Sequence, residues 1–231
     1  MTKAIRQQMI DTQLLPAGVV DDGLLQAFLA IGREDFINDD KDKKRAYNDK
    51  PITSAEGRCF LPPVAAGLLL QAADVKKGDK LLVIGGGTGY EANILTHNNC
   101  HVVALASPRD PIKKMVLHPN FMVVTATDSQ AITQGYEARA PYRAIFVLGL
   151  LAAVPHRLLA QLADGGYLLT ILRDNNVNRP NMGMDEKALQ KPLLGNLVRI
   201  HKNGRVEYFG QVAGMLPMPE FIQETSFQFV A

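Results

Sequence analysis

The segment Leu81–Tyr90 constrains this chain more than any other stretch. Four apolar residues lead directly into glycines at alternate positions, Gly85, Gly87 and Gly89, and a helix-like segment follows. Glycine lets the backbone take positive φ angles and lets a ligand approach without meeting a Cβ. The helix begins with unpaired backbone N–H groups. We predict a buried strand that turns sharply into a helix beneath a small-molecule ligand; the alternative is a tight turn that binds nothing.

The spacing of these glycines excludes two common phosphate-binding motifs. A dinucleotide fingerprint needs a third glycine three residues after the second, and Tyr90 stands at that position. No Gly-Lys-Ser/Thr follows, which excludes a phosphate-binding P-loop. Sites that bind a nucleoside usually keep a carboxylate near the glycines, whereas the strand here carries Val83.

Strand and helix patterns alternate through the middle of the chain. Strands are predicted at 80–84, 101–105, 121–125, 144–148 and 167–172, and helices at 90–96, near 110–117 and at 155–162. Continuous apolar strands that alternate with helices are typical of a parallel sheet covered on both faces. Beyond Arg173, strands at 193–201 and 206–212 flank a hairpin turn at Asn203-Gly204, and a last strand is predicted at 226–230. The predicted fold is therefore α/β, with a doubly wound, mostly parallel sheet and antiparallel C-terminal strands.

The first third of the chain is predicted to be mainly helical. Helices are expected at 3–14, after Asp21 or Asp22, and at 62–74, where prolines stand at the start. The mixed charges of residues 38–50 indicate a solvated loop or a helix end.

Composition excludes several classes of protein. The 231 residues are 47% hydrophobic and carry a net charge of +2, which gives no electrostatic case for nucleic acid or an anionic membrane. The N-terminus lacks the apolar region of a signal peptide, and no apolar run is long enough to cross a bilayer. Two cysteines are compatible with a reducing cytosol, so we expect a cytoplasmic protein. The spacing of His97–His101 fits no familiar zinc pattern, so no metal is expected.

Six short blocks accompany the glycine turn. They read Met9-Ile10-Asp11-Thr12-Gln13-Leu14 with Gly18-Val19, Arg33-Glu34-Asp35-Phe36-Ile37, Ala46-Tyr47-Asn48-Asp49-Lys50-Pro51-Ile52, Ala140-Pro141-Tyr142-Arg143-Ala144-Ile145, Val154-Pro155, and Gln161-Leu162-Ala163-Asp164-Gly165-Gly166. In order and spacing, these blocks and Gly85-Gly86-Gly87-Thr88-Gly89-Tyr90 resemble the protein-L-isoaspartate O-methyltransferases, a family of S-adenosylmethionine-dependent methyltransferases. The resemblance covers most of the first 172 residues.

The resemblance implies a Rossmann-like methyltransferase fold, S-adenosylmethionine as cofactor, and a protein or peptide substrate whose carboxylate is methylated. It implies one domain over 1–231, divided into an N-terminal helical and substrate-side segment (1–75), a cofactor-binding core (76–172) and C-terminal strands (173–231). The implied cofactor-binding residues are Gly85, Gly86, Gly87, Thr88, Gly89, Ser107 near the ribose and Asp128 near the adenine. Asp128 has an equal alternative as a helix cap. The implied substrate side is Cys59, Phe60 and Leu61, and no catalytic base is assigned.

The chain departs from the family pattern where the cofactor and substrate are expected. Val83 and Ala106 replace two acids, Leu61 replaces the serine of a Ser-Gln-Pro segment, and Thr127 and Ser129 replace glycines around Asp128. A hydrogen bond to a charged group contributes roughly 1.5–3 kcal/mol, so loss of the ribose acid would weaken cofactor binding about 10- to 150-fold. Ser107 would recover part of this.

These departures leave two alternatives to methylation of damaged protein. One is a degenerate member of the family that serves as a binding or assembly protein, and the other is a methyltransferase for a small molecule. Cys59 has no evident neighbouring base and is expected to be a buried apolar thiol. Met215, Met218 and Phe221, which stand among prolines, indicate a loop over the site or ordinary packing, and we favour packing.

Overall fold

The computed structural model describes residues 2–54, 58–86, 89–107, 118–174 and 192–221. Its first part is helical. Helix α1 spans Lys3–Met9 and continues as a π-helical turn, Ile10–Leu14. Helix α2, Asp22–Ala30, is capped by Asp21, whose carboxylate accepts a 2.8 Å hydrogen bond from the Leu24 N–H. This confirms one of the two caps predicted from the sequence.

A short connecting region leads to the sheet. A 3₁₀ turn, Arg33–Phe36, precedes helix α3, Asp40–Lys43, which lies in the mixed charge run. The short strands β1, Ile52–Thr53, and β2, Cys59–Phe60, pair antiparallel, and helix α4 spans Pro63–Ala72. The β1–β2 pair was not predicted, because two-residue strands have no detectable alternation.

The remaining elements form the central α/β unit. In chain order they are β3 Lys80–Ile84, α5 Tyr90–His97, β4 His101–Ala106, β5 Phe121–Thr125, α6 Ser129–Gln134, β6 Tyr142–Leu151, α7 His156–Leu159, β7 Leu162–Arg173, β8 Leu193–His201, β9 Val206–Met215 and a 3₁₀ turn Pro219–Phe221. Within the described residues, the main sheet has the order β5-β4-β3-β6-β7-β8-β9. The first five strands are parallel, β8 runs antiparallel to β7, and β9 runs antiparallel to β8. The predicted fold class is confirmed.

The apolar strands are buried on both faces, which explains their continuous hydrophobicity. In β3, Leu81 and Val83 belong to one core cluster, while Leu82 and Ile84 belong to the other. Successive residues of a strand point to opposite faces, so each of these side chains has a core to enter. The described residues contain no helix that is both long and apolar enough to cross a membrane.

Three predicted boundaries need correction. The helix predicted at 155–162 is the single turn α7, because Leu162 already pairs with Tyr142 as the start of β7. Residues 164–166, which separate the predicted helix from the strand predicted at 167–172, are a bulge within β7, where the register shifts and Gly165 has φ +71°. Strand β6 is twice as long as the predicted 144–148. The helix predicted near 110–117 and the strand predicted at 226–230 lie outside the described residues.

Candidate functional site

The predicted glycine turn lies at the carboxyl edge of the parallel strands, where the strand order reverses on either side of β3. Gly85 follows β3 with φ +76°, and Gly89 precedes α5 with φ +84°. Both angles lie in the left-handed region that favours glycine. The switch point of a doubly wound sheet is where such folds bind ligands. The positive φ angles expected of Gly85 and Gly89 are therefore present, and Gly87 and Thr88 lie outside the described residues.

The walls of this groove are apolar where the family pattern has acids. Val83 is 2% exposed, and its Cγ1 lies 3.3 Å from the position that a Cβ on Gly86 would take. Leu148 approaches the same position at 3.2 Å. Ala106 is 5% exposed at the end of β4. Val83 is therefore accommodated in the apolar core, and Ala106 is buried.

The segment after β9 returns across the same edge of the sheet. Pro217 forms a parallel bridge with Leu150, and the Met218 N–H donates to the Leu150 carbonyl at 2.9 Å. The Met218 side chain lies on Gly85, where a Cβ would stand 2.6 Å from its Cε, and on Gly149, where a Cβ would stand 3.1 Å from its Cβ. Met218 therefore fills the space beside Gly85 and Gly149.

A buried ion pair fixes the next part of this segment. The Arg58 guanidinium donates through Nη1 to Glu220 Oε2 at 2.7 Å, and Nη2 donates to Oε1. The two side chains are 6% and 2% exposed. Ser107, at the end of β4, also hydrogen-bonds the Glu220 carboxyl. Burial alone would raise the pKa of Glu220, but the hydrogen bonds and charge of Arg58 outweigh it and lower that pKa.

Phe221 completes the closure. It is buried in the second core cluster, whose members include Leu105, Ala126 and Ile132, and the turn Pro219–Phe221 packs against α6. The sequence left two interpretations of Met215, Met218 and Phe221, a loop over the site or core packing. Both describe the segment, because it crosses the edge of the sheet and its side chains are buried. The sequence alone left these two interpretations open, because the segment and the glycine turn are more than a hundred residues apart.

The segment Cys59–Leu61, predicted to be the substrate side, is held by a buried arginine that the sequence did not single out as a site residue. The Arg33 guanidinium donates through Nε to the Ala46 carbonyl at 2.8 Å and through Nη2 to the Leu61 carbonyl at 2.6 Å. It stacks on the rings of Phe60 and Tyr90, at 4.0 Å and 5.0 Å from their centroids. The one indication in the sequence was that Arg33 begins a block that resembles the family pattern. Arg33 therefore ties the segment that resembles a substrate site to α5.

A small cavity remains between the glycine turn and this segment. Its volume is about 10 Å³, roughly the room that one water needs. It is lined by Arg58, Cys59, Phe60, Leu61, Gly86, Glu91 and Leu148. Burial raises the pKa of Glu91 to about 7, and its Oε1 has no hydrogen-bond partner among the described residues. Among the described residues, the space between Gly86 and the segment Cys59–Leu61 is therefore too small for a nucleoside.

The other predicted site residues have local structural roles. Asp128 caps α6, because its Oδ1 accepts from the Ala131 N–H at 2.8 Å. Burial raises the pKa of Cys59 to about 12, and its thiol lies 3.6 Å from the Met215 sulfur. The thiol therefore stays protonated at neutral pH. The described residues contain no group of three histidine, cysteine or acidic side chains that could hold a metal ion.

A larger open groove lies on the opposite edge of the sheet. Its volume is about 640 Å³, and its lining includes the turn at Lys76-Lys77 before β3 and Asn98-Asn99 before β4. These are the amino ends of the strands. This groove lacks the features expected of the predicted site, since it has neither the glycine turn nor the start of α5.

A doubly wound sheet with a glycine turn ahead of α5 at its switch point defines the class of Rossmann-like α/β proteins built around a nucleoside-type groove. The family model for protein-L-isoaspartate(D-aspartate) O-methyltransferase matches residues 4–191. The chain belongs to this family of methyltransferases.

Relatives of known family agree with this assignment. The chain is 31% identical over 173 residues to the protein-L-isoaspartate O-methyltransferase of Methylorubrum populi, which covers 73% of this chain and 80% of that one. It is 29% identical over 175 residues to that of Methanospirillum hungatei, covering 74% and 80%.

Two solved structures show the same fold at low sequence identity. A protein-L-isoaspartate O-methyltransferase aligns with a TM-score of 0.64 at 22% identity, covering 94% of this chain and 67% of that one. A Plasmodium falciparum structure described as the same enzyme, in complex with S-adenosyl-L-homocysteine, aligns with a TM-score of 0.63 at 19% identity, covering 94% and 97%.

Proposed function

We propose that this chain is a protein-L-isoaspartate O-methyltransferase that transfers a methyl group from S-adenosylmethionine to a carboxylate of a damaged protein or peptide. A role in protein repair in the cytoplasm goes with this proposal. The observation that carries it is the family match over residues 4–191, which includes the glycine turn and the substrate-side segment. Two free cysteines are compatible with a reducing compartment.

The proposed roles of individual residues follow from their place at the groove. The backbone of Gly85, Gly86, Gly87, Thr88 and Gly89 would receive the cofactor, with Ser107 near its ribose and Asp128 near its adenine. Cys59, Phe60 and Leu61 would face the substrate. Met218 and Glu220 fill the groove as folded, so these roles belong to a conformation in which their segment has moved.

The proposal needs no catalytic base from the protein. A substrate carboxylate is ionised at neutral pH, and a nucleophile that already carries its charge depends on position, alignment and exclusion of water. Arg33 holds the Leu61 carbonyl and stacks on Phe60. This buried anchor would keep the substrate-side segment in one position, which compensates for the absence of a serine at Leu61.

The direct test is methyl transfer to a peptide that contains one isoaspartyl residue, with isotopically labelled S-adenosylmethionine as donor. The matched control is the same peptide with a normal aspartyl residue at that position. We expect label in the isoaspartyl peptide only, lost on mild base treatment as methyl esters are. Equal labelling of both peptides, or of neither, would contradict the proposed substrate.

The filled groove also favours a second candidate, a member of the family that binds partners without methylating them. The apolar packing of Val83 and Ala106 and the buried Arg58–Glu220 pair support it. This candidate predicts no heat on titration with S-adenosylmethionine at millimolar concentration, even after the groove has been emptied by substitution.

A further inference from the structure

We infer that residues 217–221 are a built-in occupant of the cofactor groove, which they close in the folded chain and must leave before S-adenosylmethionine binds. The inference rests on the proposed function, since that function requires the groove to open. It is carried by three contacts that succeed one another along the groove, from β6 across β3 to β4.

The first contact is made by a thioether. Met218 lies against both Gly85 and Gly149, so it occupies the space that the absence of two Cβ atoms creates. Its N–H is held by the Leu150 carbonyl, which fixes the side chain over the turn. A ligand that approached the backbone of Gly85 would meet the Met218 methyl group first.

The second contact supplies a carboxylate at the end of β4. Ala106 stands where the family pattern has an acid, and the neighbouring Ser107 hydrogen-bonds Glu220. The Glu220 carboxylate is shared with Arg58, which comes from the substrate side of the groove. The charge that is missing from the strand is therefore supplied by the occupying segment, and it is already neutralised.

The third contact is an aromatic ring beside α6. Phe221 is buried with Ala126 and Ile132, next to the Asp128 cap. A thioether, a carboxylate and an aromatic ring thus follow one another across the groove. They cover the positions that the proposed function assigns to the methionine, ribose and adenine parts of the cofactor.

The test compares the binding of S-adenosyl-L-homocysteine to the full chain and to a release variant, by isothermal titration calorimetry. The release variant, Met218→Ala/Phe221→Ala, empties both ends of the groove and leaves the Arg58–Glu220 pair intact. The matched control is Val206→Ala/Phe209→Ala, which removes two partly buried side chains from β9 where that strand begins, at the opposite edge of the sheet.

We expect the release variant to bind at least roughly tenfold more tightly than the unmodified chain, because apparent affinity is reduced by the fraction of molecules that are open. The control should bind as the unmodified chain does. Equal affinities of the release variant and the unmodified chain would overturn the inference. Absence of binding to both at millimolar ligand would overturn it as well, because removal of the occupant would have opened no site.

A second measurement covers the case in which the release variant does not fold. Hydrogen exchange of the unmodified chain is followed with and without saturating S-adenosyl-L-homocysteine. The Met218 and Phe221 amides, bonded to the carbonyls of Leu150 and Met218, should exchange faster when ligand is bound. Amides of the β8–β9 hairpin should not change. Unchanged exchange at 217–221 under saturation would show that ligand binds without displacing the segment.

These outcomes are separable from those of the methylation test. Tight binding by the release variant without methyl transfer to the isoaspartyl peptide would contradict the proposed substrate. It would still support the inference that residues 217–221 occupy the groove. Methyl transfer by the unmodified chain, with unchanged hydrogen exchange at 217–221, would support the proposed substrate and contradict the inference about this segment.

Discussion

The Arg58–Glu220 pair is a buried ion pair that joins residues 217–221 to the residue before β2. Both side chains are almost fully buried, and removal of one partner leaves a buried charge unpaired, which costs about 3–5 kcal/mol. We expect Arg58→Met to lower the free energy of unfolding in urea by this amount, and Arg58→Met/Glu220→Leu to recover most of the loss. The control is Arg199→Met, whose partner Glu207 is about one-third exposed; it should lose about 1 kcal/mol or less. Equal losses for both arginines would contradict the prediction.

Glu91 makes a separate prediction about pH. Burial raises its pKa from 4.5 to about 7, so between these pH values the folded chain holds a proton that the unfolded chain has released. Stability therefore falls as pH rises from about 4.5 to 7 and then levels off. Glu91→Gln should remove this fall and raise the free energy of unfolding at pH 8 by on the order of 3 kcal/mol. The exposed Glu137→Gln is the control and should leave the pH profile unchanged.

Among the elements, β8 packs more tightly against its neighbours than its sequence indicates. A Cβ added at Gly195 would lie 2.3 Å from Ile171 Cγ2 and 2.6 Å from Leu150 Cδ1. Gly195→Ala should therefore destabilise the chain by about 1–3 kcal/mol, the usual cost of overpacking. Gly210→Ala, on the adjacent strand, would meet Leu197 Cδ1 at 3.0 Å and is the matched control. A smaller loss for Gly195 than for Gly210 in thermal unfolding would argue against close packing of β8.

The elements also show how far the sequence alone could lead. The strands β3, β4 and β5 were predicted within a residue, because a buried parallel strand is an uninterrupted apolar run. The positive φ angles of Gly85 and Gly89 followed from residue type. Glu91 and Arg33 were missed as site residues because burial of a charge depends on elements distant in sequence. Met218 was assigned either to a loop over the site or to packing, and Glu220 was not singled out, because the return of the segment after β9 to Leu150 of β6 depends on contacts between residues distant in sequence.

At the scale of the whole molecule, the reactivity of the two thiols can distinguish local opening from general unfolding, because the thiols lie at opposite ends of the sheet. Cys59 lies by the groove, and Cys100 lies before β4, near the Lys76 carbonyl. Burial raises their pKa values to about 12 and about 11, so both should react slowly with iodoacetamide at pH 8. In the release variant Met218→Ala/Phe221→Ala, labelling of Cys59 should accelerate while that of Cys100 stays slow. Acceleration of both thiols would indicate general unfolding and contradict a local opening.

The separation of Arg58 and Glu220 along the chain has a consequence for the order in which the molecule is made. The two residues are 162 positions apart, and a chain leaves the ribosome from its N-terminus at about 5–20 residues per second. The glycine turn, Ser107 and the strands that frame them all emerge before residues 217–221. Arg58 is therefore synthesised about 8–30 s before its partner, and the buried ion pair forms only after every strand beside the glycine turn has been made.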